Sequence, residues 1–295
     1  MFEAPSHPTL VVPGEQFDLA ARPTSVQDRA SSDSLEEQLD DLAAEVDDLQ
    51  RRLYADDRWA LLAIFQGRDA AGKDGTIRTV FRLADPAGVQ VRSFSPPSTT
   101  ELQHDFLWRT STQLPERGHI GVFNRSYYEE VLVTRVHPEF LAAQGLPGGP
   151  AEGEPPSRDF WTQRMESIRD HELHLARSGT AIVKFFLNVS FDEQRARFLA
   201  RLDDPEKHWK FRESDIRDRA RWNDYSHAYE EAIGVTSRPW APWYVIPADD
   251  KDHLRVMVAE VVVAALRSLD LRPPRLSFDR PIEELRALLM NDKPQ

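Results

Sequence analysis

The sequence predicts an α/β fold in three layers, with a mostly parallel sheet covered by helices on both faces. Three observations carry this. Apolar runs of strand length recur along the chain, helical segments alternate with them, and the first run feeds a glycine-rich loop that opens a helix.

The first run is 59–66 (WALLAIFQ), and further buried strands are expected at 89–94, 118–123, 180–187 and 243–246. Runs that are apolar at every position suit strands buried on both faces, as in parallel sheets. Helical periodicity is read at 75–83, 100–113, 160–177, 191–201 and 250–268. Before the first strand, Leu35, Leu39, Leu42, Val46, Leu49 and Leu53 alternate at steps of four and three, which is one amphipathic helix. It could form a short coiled-coil seam, pack on its own domain or meet a neighbouring subunit. Residues 1–32, rich in Pro, Ser and polar groups, are expected to be an extended or partly disordered arm, and 33–295 a single domain. The stretch 145–156 (GLPGGPAEGEPP) reads as a flexible loop.

The chain has 295 residues, no cysteine and no run of about 18 apolar residues, so it has no disulfide framework, no thiolate chemistry and no expected membrane span. The opening residues lack a secretory signal, and a cytoplasmic location is expected. The net charge of −12 sits unevenly: residues 1–57 carry 14 Asp and Glu against 4 Arg. Residues 195–221 instead hold nine Lys and Arg against six acids, which could form an anion-attracting wall or simply a solvated helix face. Neither an aromatic stacking platform nor a known module points to nucleic acid.

The residues Gly67, Arg68, Asp69, Ala70, Ala71, Gly72, Lys73, Asp74 and Gly75 fit G-x-x-x-x-G-K at a strand-to-helix junction, which is the Walker A context of a P-loop. Glycines let successive N–H groups face phosphate oxygens, the helix start adds partial positive charge, and Lys73 adds a full one. Asp74 stands where the Mg²⁺-binding Ser or Thr is usual, so the metal must be held otherwise. Asp69 is the candidate, because a carboxylate facing phosphates is tolerable with a divalent cation between them; capping the loop amides is its alternative role. The strand at 118–123 ends in Asn124, Arg125, Ser126, Tyr127, Tyr128, Glu129 and Glu130, where a Walker B carboxylate is usual. Arg125 can grip phosphate in bidentate fashion, and Arg135 can add a second grip.

GRDAAGKDGTI, FNRSYYEEVLVTRV and ARLDDPEKHWKFRESDIRDRARWNDYSHAYEEAI together resemble the polyphosphate kinase 2 family over about 49–246. The resemblance implies a thymidylate kinase-like P-loop fold with a helical lid at about 205–233. It also implies phosphoryl transfer from inorganic polyphosphate to AMP or ADP with Mg²⁺ or Mn²⁺, in some members reversibly, and usually in homo-oligomers (dimers or tetramers). Base preference, guanine nucleotides included, stays open. By position, Asp69, Lys73, Asn124 and Arg125 would be catalytic, with Asp69 serving the metal. Asn124, Arg125, Ser126, Tyr128 and Glu129 would lie on the nucleotide side, and Arg201, Lys207, Lys210, Arg212 and Arg217 would meet polyphosphate from the lid. A lid that packs its aromatics on the body and holds its cations over the loop would close on a polyanion. Asn124, where many members have Asp, followed by a Tyr-Glu pair, resembles the subgroup accepting both AMP and ADP. An ATP-dependent nucleoside monophosphate kinase and a non-catalytic nucleotide-binding module remain as rivals.

Overall fold

The computed structural model describes residues 1–27, 30–147, 149, 154–272, 274 and 278–291. Among them, five strands form one parallel sheet: β1 (Ala60–Gln66), β2 (Val89–Ser93), β3 (Ile120–Asn124), β4 (Thr180–Asn188) and β5 (Trp243–Pro247). Their spatial order is β2-β3-β1-β4-β5. The helices are α1 (Ser32–Asp56), α2 (Lys73–Val80), α3 (Thr99–Leu102), α4 (Trp108–Ser111), α5 (Glu129–Val136), α6 (Glu139–Ala142), α7 (Arg158–Arg177), α8 (Phe191–Leu202), α9 (Glu213–Ala220), α10 (Trp222–Thr236), α11 (Lys251–Arg267) and α12 (Ile282–Asn291), with a 3-10 turn at Pro205–Lys210.

The expected three layers follow from alternation along the central strand. Leu61, Ala63 and Phe65 pack into one core with Leu49 and Leu53 of α1, Ile77 of α2 and Val258 and Val262 of α11. Leu62 and Ile64 join the other, with Leu132 of α5, Met165 and Ile168 of α7 and Ile233 of α10. Each of these Leu, Ile, Val, Met and Phe side chains, when fully buried, contributes roughly 1.5–3 kcal/mol. Phe65 of β1 lies opposite Asn124 in β3 and Phe185 in β4, so β1 and β3 end at nearly one level while β4 runs on to Asn188. The strand order reverses beside β1, and the crevice outside these carboxyl ends is where such sheets bind ligands.

The apolar stripe of α1 is buried against α11 of the same chain, so it packs on its own domain, the second of its three expected uses. The amino-terminal arm runs extended along β5: the Val11 N–H donates to Trp243 O and the Val245 N–H to Thr9 O, each at 2.9 Å. It thereby covers what would be an open sheet edge.

Two local expectations are corrected. The strand expected to be buried at 89–94 is an edge strand with Val91 47 % exposed, because only β3 pairs with it. The helix expected at 100–113 is broken into α3 and α4, because Asp105 turns the chain: its carboxylate accepts from the Leu107 N–H at 2.9 Å and its carbonyl from that of Trp108. The loop expected at 145–156 lies partly outside the described residues.

A polar group sits inside the second core where the sequence gives only an apolar run. Lys184, mid-β4 and fully buried, donates to Glu172 Oε2 of α7 at 2.6 Å, to the Tyr128 hydroxyl at 2.9 Å and to Thr236 O at 3.0 Å. The Tyr127 hydroxyl donates to Glu172 Oε1. Burial pulls the Lys184 ammonium down to about 8, against the attraction of Glu172. Removing one partner strands a buried charge, so Lys184→Met should cost about 3–5 kcal/mol in urea denaturation. Pairing it with Glu172→Leu should recover much of that loss. A Lys184→Met chain as stable as the parent would contradict this role.

Candidate active site

Gly67 leaves β1 at φ +157°, and a Cβ there would stand 3.1 Å from Leu187 O and 3.2 Å from the Ala71 Cβ, so the loop closes against β4 only with glycine. Gly72, at φ +108°, caps α2, and Ala70 holds a left-handed φ of +62°. A non-glycine residue in that region costs on the order of 1 kcal/mol, so something must hold the loop in shape.

The hold comes from α8. The Arg197 guanidinium, buried, donates to Ala70 O at 2.9 Å and Ala71 O at 3.0 Å, and on its other side to Ala248 O at 2.6 Å. Its Nε donates to Glu193 at 2.7 Å. Gln194 Nε2 donates to Asp69 O at 2.9 Å. Because trans peptides point N–H opposite to C=O, fixing the carbonyls of Asp69 and Ala71 turns the amides of Ala70 and Gly72 away from α8. Lys73 Nζ donates to Gly67 O at 2.6 Å and to Arg68 O at 3.2 Å, spanning the loop from its far end.

Charge converges at the loop mouth. Arg125, at the end of β3 with φ +64°, donates to Asp69 Oδ1 at 2.5 Å and to Glu129 Oε2 at 2.9 Å. Burial pushes the Asp69 carboxyl up, but Arg125, Lys73 and Arg201 at the end of α8 outweigh it and hold the group below its usual range. Burial and Arg125 pull the Lys73 ammonium down to about 8, partly offset by Asp69, Glu129 and Asp74. Asp215, on α9, is pushed up first by burial and then by Asp69, so α9 lies close enough to the loop to feel its charge. Asn124 Nδ2 donates to Asp74 Oδ1 at 2.6 Å, tying the end of β3 to the first turn of α2.

A strand-to-helix anion loop, a buried lysine spanning it and an arginine–carboxylate pair at the sheet's crevice suit phosphate chemistry. Comparison with known proteins decides the family. The family model described as Polyphosphate kinase 2 matches residues 29–148 and 152–273. The chain belongs to the polyphosphate kinase 2 family. It is 50 % identical over 273 residues to the "ADP-polyphosphate phosphotransferase" of Rhodopseudomonas palustris, covering 92 % of this chain and 93 % of that one. It is 45 % identical over 227 residues to the "AMP/ADP-polyphosphate phosphotransferase" of Meiothermus ruber, covering 77 % and 79 %. The crystal structure of polyphosphate kinase 2 from Arthrobacter aurescens superposes with a TM-score of 0.87 at 36 % identity over 99 % of both chains. The resemblance expected at about 49–246 therefore extends over α1 and α11.

Within this family member, Asp69, Lys73, Asn124, Arg125 and Glu129 come together as the sequence suggests, and four other assignments need correction. Arg68 turns its side chain away from the phosphate loop, onto Trp222 and Ser226 of α10. Arg135 pairs with Glu231 and lies over the Trp161 ring, tying α5 to α10 and α7 instead of gripping phosphate. Ser126 is buried, accepting from Gln66 Nε2 at 3.2 Å, and Tyr128 is buried in the Lys184 network, so neither faces a nucleotide. Proximity to a motif cannot tell which face of a turn a side chain takes.

The lid is also partly revised. Trp222 and Tyr225 pack inward, but Trp209 is 77 % exposed with Lys210 beside its ring. Lys207 pairs with Asp204 at 2.6 Å, while Lys207, Lys210, Arg212 and Arg217 are all exposed. The second half of α10, from Ala228 on, is buried in the body. Sequence reading missed Arg197 and Gln194; their signal was a basic and an amide residue on the inward face of an otherwise solvated helix.

If the Lys73 charge is needed, kcat/KM for polyphosphate should hold at neutral pH and fall as pH rises through about 8, because deprotonation of the free enzyme removes it. Lys73→Ala should lower turnover by about 100-fold or more. A profile flat well beyond this range, or an active Lys73→Ala variant, would contradict the assignment.

Proposed function

We propose that this chain transfers the terminal phosphoryl group of inorganic polyphosphate to both ADP and AMP at the crevice formed by the phosphate loop and the end of β3. The observation that carries this is the pairing of Arg125 with Asp69 at the loop mouth, with the buried Lys73 spanning the loop through Gly67 O and Arg68 O. Family membership and the names of its relatives support the donor and the nucleotide acceptors.

The chemistry asks little beyond charge and alignment. The acceptor's terminal phosphate, with a second ionisation near ~6, is largely anionic at neutral pH and needs no base. Repulsion between the two phosphate chains is the obstacle, and Lys73 and Arg125 oppose it while the loop amides hold one chain in line. Mg²⁺ or Mn²⁺ fits the donor set, since Asp69, with its side chain 30 % exposed, and Asp74 offer hard oxygen ligands at the mouth. Among the described residues no three His, Asp or Glu side chains cluster, so such an ion would share its coordination with phosphate oxygens, as Mg²⁺ commonly does. When bound it would offset phosphate charge. Asp69 and Arg125 now satisfy each other, and a phosphate competing for Arg125 frees Asp69 for a metal.

Use of AMP as well as ADP is supported by the name of the Meiothermus ruber relative, and the neutral Asn124 amide bound to Asp74 leaves one negative charge fewer at the end of β3 than Asp would, which lowers repulsion toward either acceptor. The exposed Lys207, Lys210, Arg212 and Arg217 are proposed to meet the polyphosphate donor, since repeated charges suit a row of separated cations. Among the described residues no helix is long and apolar enough to cross a membrane.

Incubation with polyphosphate, Mg²⁺ and either ADP or AMP, without ATP, should yield ATP and ADP respectively by chromatography; no product from either acceptor would sink the proposal. Asn124→Asp should change the AMP to ADP preference by about fivefold, the equivalent of roughly 1 kcal/mol for one added charge. An unchanged ratio would make Asn124 structural. Lys207→Ala/Lys210→Ala should raise the polyphosphate KM and flatten its salt dependence, each lost contact removing about 1 kcal/mol or less. An effect confined to the nucleotide KM would return the lid cations to mere solvation.

A further inference from the structure

Arg68 lies inside the phosphate loop, yet its side chain serves another element. Its guanidinium sits 3.8 Å from the centre of the Trp222 ring, at the first turn of α10, and its Nη2 donates to Ser226 Oγ one turn further on at 2.5 Å. The side chain is buried, and burial draws its charge down to about 10, an expense a surface arginine would not incur. Trp222 in turn meets Phe191, the first residue of α8, edge to face at 5.0 Å. Phe191 carries the Arg219 guanidinium 3.4 Å from its ring centre, and Arg219 is the penultimate residue of α9.

A second path joins the same ends. Arg219 Nη1 donates to Gln194 Oε1 at 2.9 Å, and Gln194 Nε2 donates to Asp69 O. Arg219, at the end of α9, is therefore fastened to two consecutive loop residues, once through the edge-to-face Phe191 and Trp222 rings to the Arg68 side chain and once through an amide to the Asp69 carbonyl. Arg221 alone separates α9 from α10 at this junction.

We propose that Arg68 and Trp222 form a strap that couples the lid to the phosphate loop, so that both are positioning residues for transfer and Arg68 is not a phosphate ligand. The stack is rigid at the ring and planar at the guanidinium, so movement of α9 is transmitted to the backbone that carries Asp69. Donor held by the lid then sets the loop geometry at which transfer occurs. Kinetically, loosening the strap costs turnover while the acceptor site at the end of β3 stays intact.

The inference rests on the proposed transfer, so the parent enzyme is assayed first; if it makes no product, that reading fails and the strap is not implicated. With an active parent, kcat and both KM values are measured for Trp222→Phe, Trp222→Leu, Arg68→Lys and Arg68→Lys/Trp222→Leu, with thermal melts to confirm folding at the assay temperature. Trp222→Leu should lower kcat by about tenfold or more with nucleotide KM within about twofold, given what a desolvated cation–π contact is worth. Trp222→Phe should keep most of the activity, because the ring face remains. The double variant should be no slower than the worse single one, since both remove one contact. Parent-like kcat in Trp222→Leu, multiplicative losses in the double variant, or an Arg68→Lys effect confined to nucleotide KM would each overturn the strap. A Trp222→Leu chain that does not fold would leave Trp222→Phe and Arg68→Lys to decide by the same split: a loss of kcat in Arg68→Lys with Trp222→Phe retained supports it, and parent-like kcat in Arg68→Lys overturns it.

Discussion

The rest of the site depends on one constraint: a short loop after β1 must keep its carbonyls turned toward α8. Ala70 sits at a left-handed φ of +62°, a conformation that an unsupported loop would leave. Arg197 and Gln194 supply the support by accepting the role of carbonyl partners, and Arg197 ties the same point to the segment after β5. The loop is thus shaped by a buried cation behind it as much as by its glycines. Its amides and Lys73 are then set in place before any anion arrives, which is the form of preorganisation that phosphoryl transfer rewards.

The loop also organises electrostatics at several removes. Asp69 gathers Arg125, Lys73 and Arg201, and each of these belongs to a different element: the end of β3, the start of α2 and the end of α8. Burial first, and then repulsion from Arg125, draw Lys73 down to about 8. Phosphate oxygens would relieve that repulsion, so the site gains more from a polyanion than a solvated lysine could offer. Deeper in the sheet, Lys184 and Glu172 hold α7, β4 and α10 together, giving the lid's rear helix a fixed base.

Much of this was legible in the chain. The strands were visible because both faces of a parallel sheet are buried, so WALLAIFQ and AIVKFFL read as continuous apolar runs. The loop was visible because its glycines and Lys73 carry a spacing that the chemistry requires. What the sequence hid were choices of side: Tyr128 and Ser126 stand next to Arg125 but point into the core, and Arg68 stands in the loop but points to the lid. The edge position of β2 and the break at Asp105 depend on tertiary pairing and a local turn that periodicity does not register. Lys184 offered a signal, a lone lysine in an apolar run, but nothing in the run named Glu172 as its partner.

The claim that underlies the rest is that the loop backbone, held from behind by α8, is the phosphate cradle. Backbone amide chemical shifts of the isotopically labelled protein, followed while tripolyphosphate is titrated in with Mg²⁺, test it most directly. The account predicts that the largest changes fall on Ala70, Ala71, Gly72 and Lys73, with smaller ones in α9. Shifts confined to α9 and the 3-10 turn, with those four amides unmoved at saturation, would contradict it.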